Sequence, residues 1–212
     1  MARQVKARRP PPAAAIFANA FAVGSVLMGF EMLGSRYLFP YFGGGIGTWA
    51  ALISMVLCAL TLGYFVGGDV VDKHPSPRVI AVSILLASCY LALVPATADP
   101  VMAWILATIG DGPIAILIAA AALILVPLSL LGTFSPVAIR LLLHSTGKSG
   151  RVAGMVYGVS TIGNVFGVLF TTFWLIPAIG SREITYVFAF VLFVCSATLF
   201  ALPEPKIGKK IR

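Results

Sequence analysis

Long apolar runs separated by short polar segments dominate the sequence. A membrane-spanning helix needs about 20 predominantly apolar residues, and six runs of that kind occur along the chain. Their approximate bounds are 15–38, 47–68, 78–96, 113–136, 152–176 and 184–202. A further apolar piece, 101–109, is too short to cross a bilayer. The pattern therefore predicts an all-α, polytopic membrane protein with six transmembrane helices, and an interfacial or re-entrant turn at 101–109.

The basic residues indicate how these helices are oriented. Of the 15 lysine and arginine residues, 13 fall on one side of the membrane if both termini are cytoplasmic. Cytoplasmic loops carry such an excess, and only Arg36 and Arg182 fall toward the other side. The predicted organisation is a basic cytoplasmic tail at 1–14, a six-helix transmembrane domain at 15–202 and a basic cytoplasmic tail at 203–212. Six spans also divide into two triplets that start on opposite sides of the membrane. Any division of six spans into two groups of three has this property, and no sequence match relates the two halves.

Composition supports a membrane protein. Hydrophobic residues make up 59% of the chain and charged residues 10%, whereas soluble domains are roughly 45–50% apolar and about 25% charged. These values exclude an ordinary soluble enzyme, a disulfide scaffold and a disordered chain. Because the net charge of +8 comes from clusters between the apolar runs, it does not indicate a nucleic-acid partner. The three cysteines lack metal-site spacing, so we expect buried, space-filling thiols at Cys58, Cys89 and Cys195.

One carboxylate lies well inside the first predicted helix. Glu31 shares a helical face with Gly24, Met28 and Ser35. An ionised carboxylate in hydrocarbon costs on the order of a few kcal/mol, so Glu31 must face the protein interior, pair with a cation or be protonated. Arg36 points about 140° away from it, and we expect each to find a partner on another helix. Two interpretations stay open: a cation or proton site, and a structural clamp between helices.

Small and hydroxyl residues recur on the second and fifth helices. Gly63 and Gly67 form a small-xxx-small surface that favours close helix packing. On the fifth helix, Tyr157, Thr161 and Asn164 form a polar stripe beside Ser160. That helix also carries two glycine pairs, Gly154-x-x-x-Gly158 and Gly163-x-x-x-Gly167. Its polar stripe fits either interhelical packing or the wall of a polar cavity.

Three smaller features complete the pattern. Pro136 predicts a kink near the end of the fourth helix, because proline leaves a backbone carbonyl without its partner. His74 and His144 lie in basic loops, where we expect solvated side chains. Aromatic residues near the predicted outer interface are typical of a membrane belt. They are Tyr37, Tyr41, Trp49 and Trp174.

Several motifs together resemble one protein family. The first block is Glu31-x-x-x-Ser35-Arg36-x-x-x-Pro40-Tyr41-Phe42-Gly43, followed by Thr48-Trp49 and Gly63-Tyr64-x-x-Gly67-Gly68. The second is Ser135-Pro136-x-x-Ile139-Arg140. The third is Ala153-Gly154-x-x-Tyr157-x-x-Ser160-Thr161-x-Gly163, running on to Leu175-Ile176-Pro177-x-x-Gly180. This ordered set resembles the membrane domain of the fused transporter/spermidine-synthase-like proteins of bacteria. Gly68-x-x-x-Asp72-Lys73 also resembles the inner-loop signature of major facilitator transporters.

The resemblance implies a bundle like half of a major facilitator transporter, located in the bacterial inner membrane. Members of the family usually carry a cytoplasmic aminopropyltransferase-like domain after the membrane part. That domain has a nucleotide-binding fold for a decarboxylated S-adenosylmethionine type of cosubstrate. This chain stops at Arg212, soon after the last predicted helix. We therefore expect it to lack that domain, to have no enzymatic activity of its own and to need no cofactor or metal.

The leading hypothesis is a membrane module that binds or transports a small cationic, polyamine-like solute, as a homo-oligomer or with a partner subunit. The alternative is a non-catalytic anchor or accessory subunit of a larger membrane complex or of a separately encoded aminopropyltransferase-like enzyme. The lipid bilayer is the expected environment, and nucleic acid is not an expected partner. The candidate solute-binding residues are Glu31, Ser35, Arg36, Tyr64, Tyr157, Ser160, Thr161 and Asn164. The candidate gating residues of the inner loops are Asp69, Asp72, Lys73 and Arg140.

Overall fold

The computed structural model describes residues 12–143 and 149–202. Over these ranges the chain is helical, without strands, and six helices are long and apolar enough to cross a membrane. We number them α1 (Ala13–Phe42), α2 (Ile46–Lys73), α3 (Pro77–Ile109), α4 (Pro113–Leu142), α5 (Ser149–Ala178) and α6 (Ser181–Phe200). The predicted all-α architecture with six helices of membrane-spanning length and apolarity is confirmed. Most of the two predicted basic tails, and also His144, lie outside the described residues.

The helices pack in three principal pairs: α1 on α5, α2 on α4, and α3 on α6. The first triplet is α1 to α3 and the second is α4 to α6. If the two triplets are exchanged, the α1–α5 pair becomes the α4–α2 pair, and the α3–α6 pair is unchanged. The same exchange relates two glycine pairs, because Gly63 and Gly67 of α2 face α4, whereas Gly163 and Gly167 of α5 face α1. The packing therefore follows the three-plus-three division that the topology alone could not establish.

The short apolar piece at 101–109 is not a re-entrant turn, and that prediction is wrong. It continues α3, which runs for 33 residues despite Pro95 and Pro100 inside it. Met102 and Ile105 are both 1% exposed and pack into the core, and a continuous helix keeps the backbone groups hydrogen-bonded. With a rise of about 1.5 Å per residue, α3 is longer than the ~30 Å hydrocarbon core. It must therefore tilt or project beyond the core.

Two helices contain a π-helical segment before a proline. In α4 the segment Ala121–Leu125 precedes Pro127, and in α5 the segment Thr171–Leu175 precedes Pro177. Proline has no backbone N–H to donate to the preceding turn, and a wider turn accommodates the carbonyl that is left without a partner. Further along α4, a turn at Thr133 separates Val126–Gly132 from Phe134–Leu142. The distortion predicted for the end of this helix is confirmed, three residues before Pro136.

The two ends of the bundle carry different charged side chains. Lys73, Arg78, Arg140 and Arg151 lie at one end, near the close of α2, the start of α3, the close of α4 and the start of α5. This distribution agrees with the positive-inside pattern, and the orientation of the termini stays a prediction. At the opposite end, Arg182 of α6 pairs with Asp99 of α3.

The expected aromatic belt is only partly formed. Trp49 and Trp174 are exposed. Tyr37 instead is buried, and its hydroxyl lies 2.9 Å from the Thr185 hydroxyl of α6. The belt prediction is wrong for Tyr37, because a tyrosine hydroxyl within reach of a partner is satisfied inside the bundle.

Two hydroxyl groups join α3 to α6. The Ser88 hydroxyl donates to the Ala189 carbonyl at 2.7 Å, and the Ser196 hydroxyl donates to the Ala81 carbonyl at 2.8 Å. Both serines are buried. These bonds connect the two helices within the span, and together with the Arg182–Asp99 pair they orient α6 on α3.

Removing both hydroxyls should lower the free energy of unfolding by about 1 kcal/mol, because side-chain hydrogen bonds between membrane helices average about 0.6 kcal/mol each. The test is unfolding of the Ser88→Ala/Ser196→Ala variant in mixed micelles with increasing SDS, followed by circular dichroism. Ser83→Ala is the control, since the Ser83 hydroxyl donates to Val79 of its own helix. An equal loss in the control would show that the interhelical bonds add nothing.

Candidate functional site

A small polar cavity of about 30 Å³ lies where α1, α2, α4 and α5 meet. Its polar lining comes from three of these helices: Tyr64 of α2, Ser135 of α4, and Ser160 and Asn164 of α5. Val23 and Leu27 of α1 supply apolar walls. On α1, α2 and α5 these residues lie near the middle of the helix, so the cavity lies well within the membrane-spanning part of the bundle.

The polar groups around the cavity lack partners. Within the described part of the chain, the side chains of Tyr64, Ser135, Ser160 and Asn164 form no hydrogen bond, and the Asn164 Oδ1 atom is fully buried. Buried polar groups in proteins are almost always hydrogen-bonded to protein, water or a ligand. The buried, unpaired Asn164 Oδ1 atom therefore indicates a place for a bound polar group, and the unpaired side chains of the other helices converge on the same cavity.

Gly24 allows the Asn164 carboxamide to approach α1. A Cβ atom at Gly24 would lie 2.9 Å from Asn164 Oδ1 and would overlap the Ser160 carbonyl oxygen. Only glycine leaves this space, because every other residue carries a Cβ atom. The close approach of α1 and α5 thus places Ser160 and Asn164 at the cavity.

Glu31 lies about one helical turn beyond this cavity, on the same side of α1. It follows Leu27, which lines the cavity, by four residues, or about 6 Å along the helix axis. Its side chain is 7% exposed and has no hydrogen bond or ion pair with a described residue. Arg36 is exposed and likewise unpaired within the described ranges. The two side chains diverge as predicted, but the expected partners on other helices are not present among the described residues.

The polar stripe predicted on α5 is divided between two environments. Ser160 and Asn164 line the cavity, whereas Thr161 and Tyr157 are exposed, Tyr157 by 44%. The Tyr157 ring meets the Tyr64 ring edge-on, with centroids 6.4 Å apart. Tyr157 and Thr161 therefore lie beside the cavity, on the outer surface of α5.

Ser35 is a further predicted site residue that lies away from the cavity lining. Its hydroxyl donates to the Met32 carbonyl of its own helix at 2.8 Å. A serine that bonds to the preceding turn is satisfied locally. The structure therefore brings together Tyr64, Ser160 and Asn164 with Glu31 nearby, and leaves Ser35, Arg36, Tyr157 and Thr161 outside the cavity.

Two of the three predicted glycine pairs form close packing contacts. A Cβ atom at Gly67 would lie 2.8 Å from the Thr133 Cα atom, and one at Gly63 equally close to the Gly132 Cα atom. On α5, Gly163 meets Phe21 and Gly167 meets Ser25 in the same way. The pair Gly154 and Gly158 has nothing within 4 Å, so the close packing predicted there is absent from the described chain.

The predicted gating residues lie at the basic end of the bundle. Lys73 pairs with Asp69 at 2.6 Å within α2, and Arg140 of α4 lies 3.9 Å from Asp72 of α2. All four side chains are exposed, and exposed ion pairs contribute only about 0–1 kcal/mol. Asp72 and Arg140 border a wide, open hollow together with Tyr157. Their position fits a gate that opens and closes at low cost, and the gating role stays a prediction.

Sequence reasoning missed two polar groups. Ser135 lines the cavity, and the Thr172 hydroxyl is buried without a hydrogen-bond partner in the π-helical segment of α5. Ser135 stands beside Pro136 in the motif quoted above, so the kink was the available signal.

The expectation of buried cysteines is confirmed for Cys195, but Cys58 and Cys89 are exposed. A helix in lipid can turn a thiol outward without exposing it to water.

The described residues hold no cluster of three or more histidine, cysteine or acidic side chains that could bind a metal ion. No family model, no curated protein and no solved structure matches the chain.

Proposed function

We propose that this integral membrane protein is a module that binds and moves a small cationic, polyamine-like solute. The observation that carries the proposal is the cavity with its unpaired polar groups from α2, α4 and α5 and the buried, unpaired Glu31 beside it. Ion pathways through membranes are typically marked by intramembrane carboxylates that face the protein interior. Glu31 is such a carboxylate.

The chemistry of the cavity favours a cation. The Asn164 Oδ1 atom, the Ser135, Ser160 and Tyr64 hydroxyls and the Glu31 carboxylate can all accept hydrogen bonds. No lysine or arginine lines the cavity. Its volume of about 30 Å³ suits one ammonium group. The rest of a longer amine would extend past Tyr64 and Tyr157.

The position of the cavity supports transport as well as binding. It lies between helices of both triplets, and secondary transporters with inverted repeats bind their solutes near mid-membrane, where the repeats meet. The exposed Asp72–Arg140 pair at the basic end would then close one side of the path. The family resemblance suggests a polyamine, and the cavity's acceptors are consistent with an amine.

The uncovered surface of α5 favours a second candidate function. Only 17% of the most apolar stretch of α5 is buried, against 44–50% in α1, α3, α4 and α6. A helix so little covered by its own chain is suited to dock on another protein. The chain would then anchor a larger membrane complex or a separate aminopropyltransferase-like enzyme, without catalysis of its own.

Amine binding to the purified protein tests the proposed function. We expect putrescine or spermidine to raise the melting temperature in detergent, and uncharged 1,4-butanediol to have no effect. Asn164→Leu should weaken the amine affinity about tenfold or more, since a hydrogen bond to a charged group contributes about 1.5–3 kcal/mol. Titration calorimetry measures the change.

Asn19→Leu is the matched control for that experiment. Asn19 is also an asparagine inside a span, but it donates to Ala15 and Thr198, away from the cavity. The control should keep the amine affinity of the wild type even if it lowers stability. If no amine binds the wild type, or if both variants lose affinity equally, the proposed site is wrong.

A further inference from the structure

The two least covered helices lie on either side of the polar cavity. In their most apolar stretches, α5 is 17% buried and α2 is 33% buried, and every other span reaches at least 44%. Tyr64 of α2, which lines the cavity, contacts Tyr157 of α5 beside it. The outward surfaces of α2 and α5 beside these tyrosines, which we call the α2–α5 face, are thus continuous with the site.

The α2–α5 face carries polar groups at the depth of the hydrocarbon core. Tyr64 and Tyr157 are 38% and 44% exposed, and Thr61 and Thr161 are exposed beside them. Thr61 and Thr161 each lie 12 residues from the basic end of their helix, at Lys73 and Ser149, so they lie at equal depth. Lipid tails offer no hydrogen-bond partner to the tyrosine hydroxyls, so contact with lipid leaves them unsatisfied.

We infer that a second copy of this chain docks on the α2–α5 face and covers the polar cavity beside it. A two-fold contact brings the same surface of both copies together. At equal depth, Thr61 and Tyr64 of one copy then meet Thr161 and Tyr157 of the other. The Thr61 hydroxyl already donates to Leu57 of its own helix and can still accept, whereas the Tyr64, Tyr157 and Thr161 hydroxyls gain partners from the other copy.

The size of the face agrees with a dimer. Two helices about 10 Å wide, exposed over roughly 30 Å of their length, present on the order of 600 Å² per copy. A standard stable interface buries about 800 Å² per partner. The purpose of the dimer rests on the proposed function, because the second copy would cover the solute site. The dimer itself can be tested without a solute.

Cysteine crosslinking between differently tagged copies tests the dimer in native membranes. Cys58 and Cys89, the exposed thiols, are first replaced by alanine. One tagged chain then carries Thr61→Cys and the other Thr161→Cys, and copper phenanthroline is the oxidant. We expect a crosslinked dimer that contains both tags, several-fold more abundant than in the control pair Leu86→Cys with Phe190→Cys. Leu86 on α3 and Phe190 on α6 are also exposed, by 53% and 66%, but lie off the α2–α5 face.

Subunit counting by single-molecule photobleaching in dilute liposomes is the second measurement, and two bleaching steps are expected. Crosslinking of the control pair as efficient as that of the test pair would overturn the inference. So would a single bleaching step, or crosslinking of Thr161→Cys to a different membrane protein in place of its own copy. Because no amine is added, failure here leaves the amine titration to decide the proposed function separately.

Discussion

Gly167→Ala should separate α5 from α1 and lower the free energy of unfolding by about 1–3 kcal/mol, the usual cost of overpacking. The added methyl group would overlap the Ser25 carbonyl oxygen and lie 2.7 Å from the Ser25 Cα atom. These are backbone atoms, so no flexible side chain can move aside. Because α5 packs chiefly on α1, no other contact compensates, and α5 must shift along its whole length.

SDS titration followed by circular dichroism measures this loss, with Gly158→Ala as the matched control. Both glycines lie inside α5, but nothing lies within 4 Å of the Gly158 position. Alanine is favoured over glycine within a helix by roughly 0.5–1 kcal/mol, so the control should be neutral or slightly stabilising. If both variants unfold alike, the glycines act through helix propensity alone and the close contact between α1 and α5 is wrong.

Glu31→Gln should abolish the stabilisation of the protein by putrescine or spermidine and leave its folding largely intact. Glutamine keeps the shape of the side chain and removes the negative charge that attracts the amine. Because Glu31 has no hydrogen bond or ion pair with a described residue, the substitution breaks no internal contact there. Melting temperatures with and without amine, over a range of amine concentrations, measure the effect.

Glu183→Gln is the control for the carboxylate. Glu183 is exposed in the first turn of α6, a helix that contributes no residue to the cavity lining, and its loss should leave the amine response unchanged. If Glu31→Gln binds the amine as tightly as the wild type does, the carboxylate has no part in recognition. Severe unfolding of Glu31→Gln without amine would instead favour the structural clamp.

Length and hydropathy by themselves determined the number of membrane helices. Each predicted span has a helix at its position, because about 20 apolar residues in a bilayer satisfy their backbone groups only as a helix. Gly63-x-x-x-Gly67 and Gly163-x-x-x-Gly167 also predicted close packing correctly, since a missing side chain is a local property. Glu31 stood out for the same reason, because its burial follows from its cost in hydrocarbon.

Only the tertiary structure decided which polar residues meet. Tyr157 and Thr161 share a helix and a stripe with Asn164, yet α1 covers one side of α5 and leaves the other open. Ser135 joined the site because α4 packs on α2 beside the cavity. The piece at 101–109 became helix because Met102 and Ile105 found core neighbours. Sequence spacing fixes the angle of a side chain around its own helix, but the neighbouring helices decide whether that angle faces a cavity, a partner or lipid.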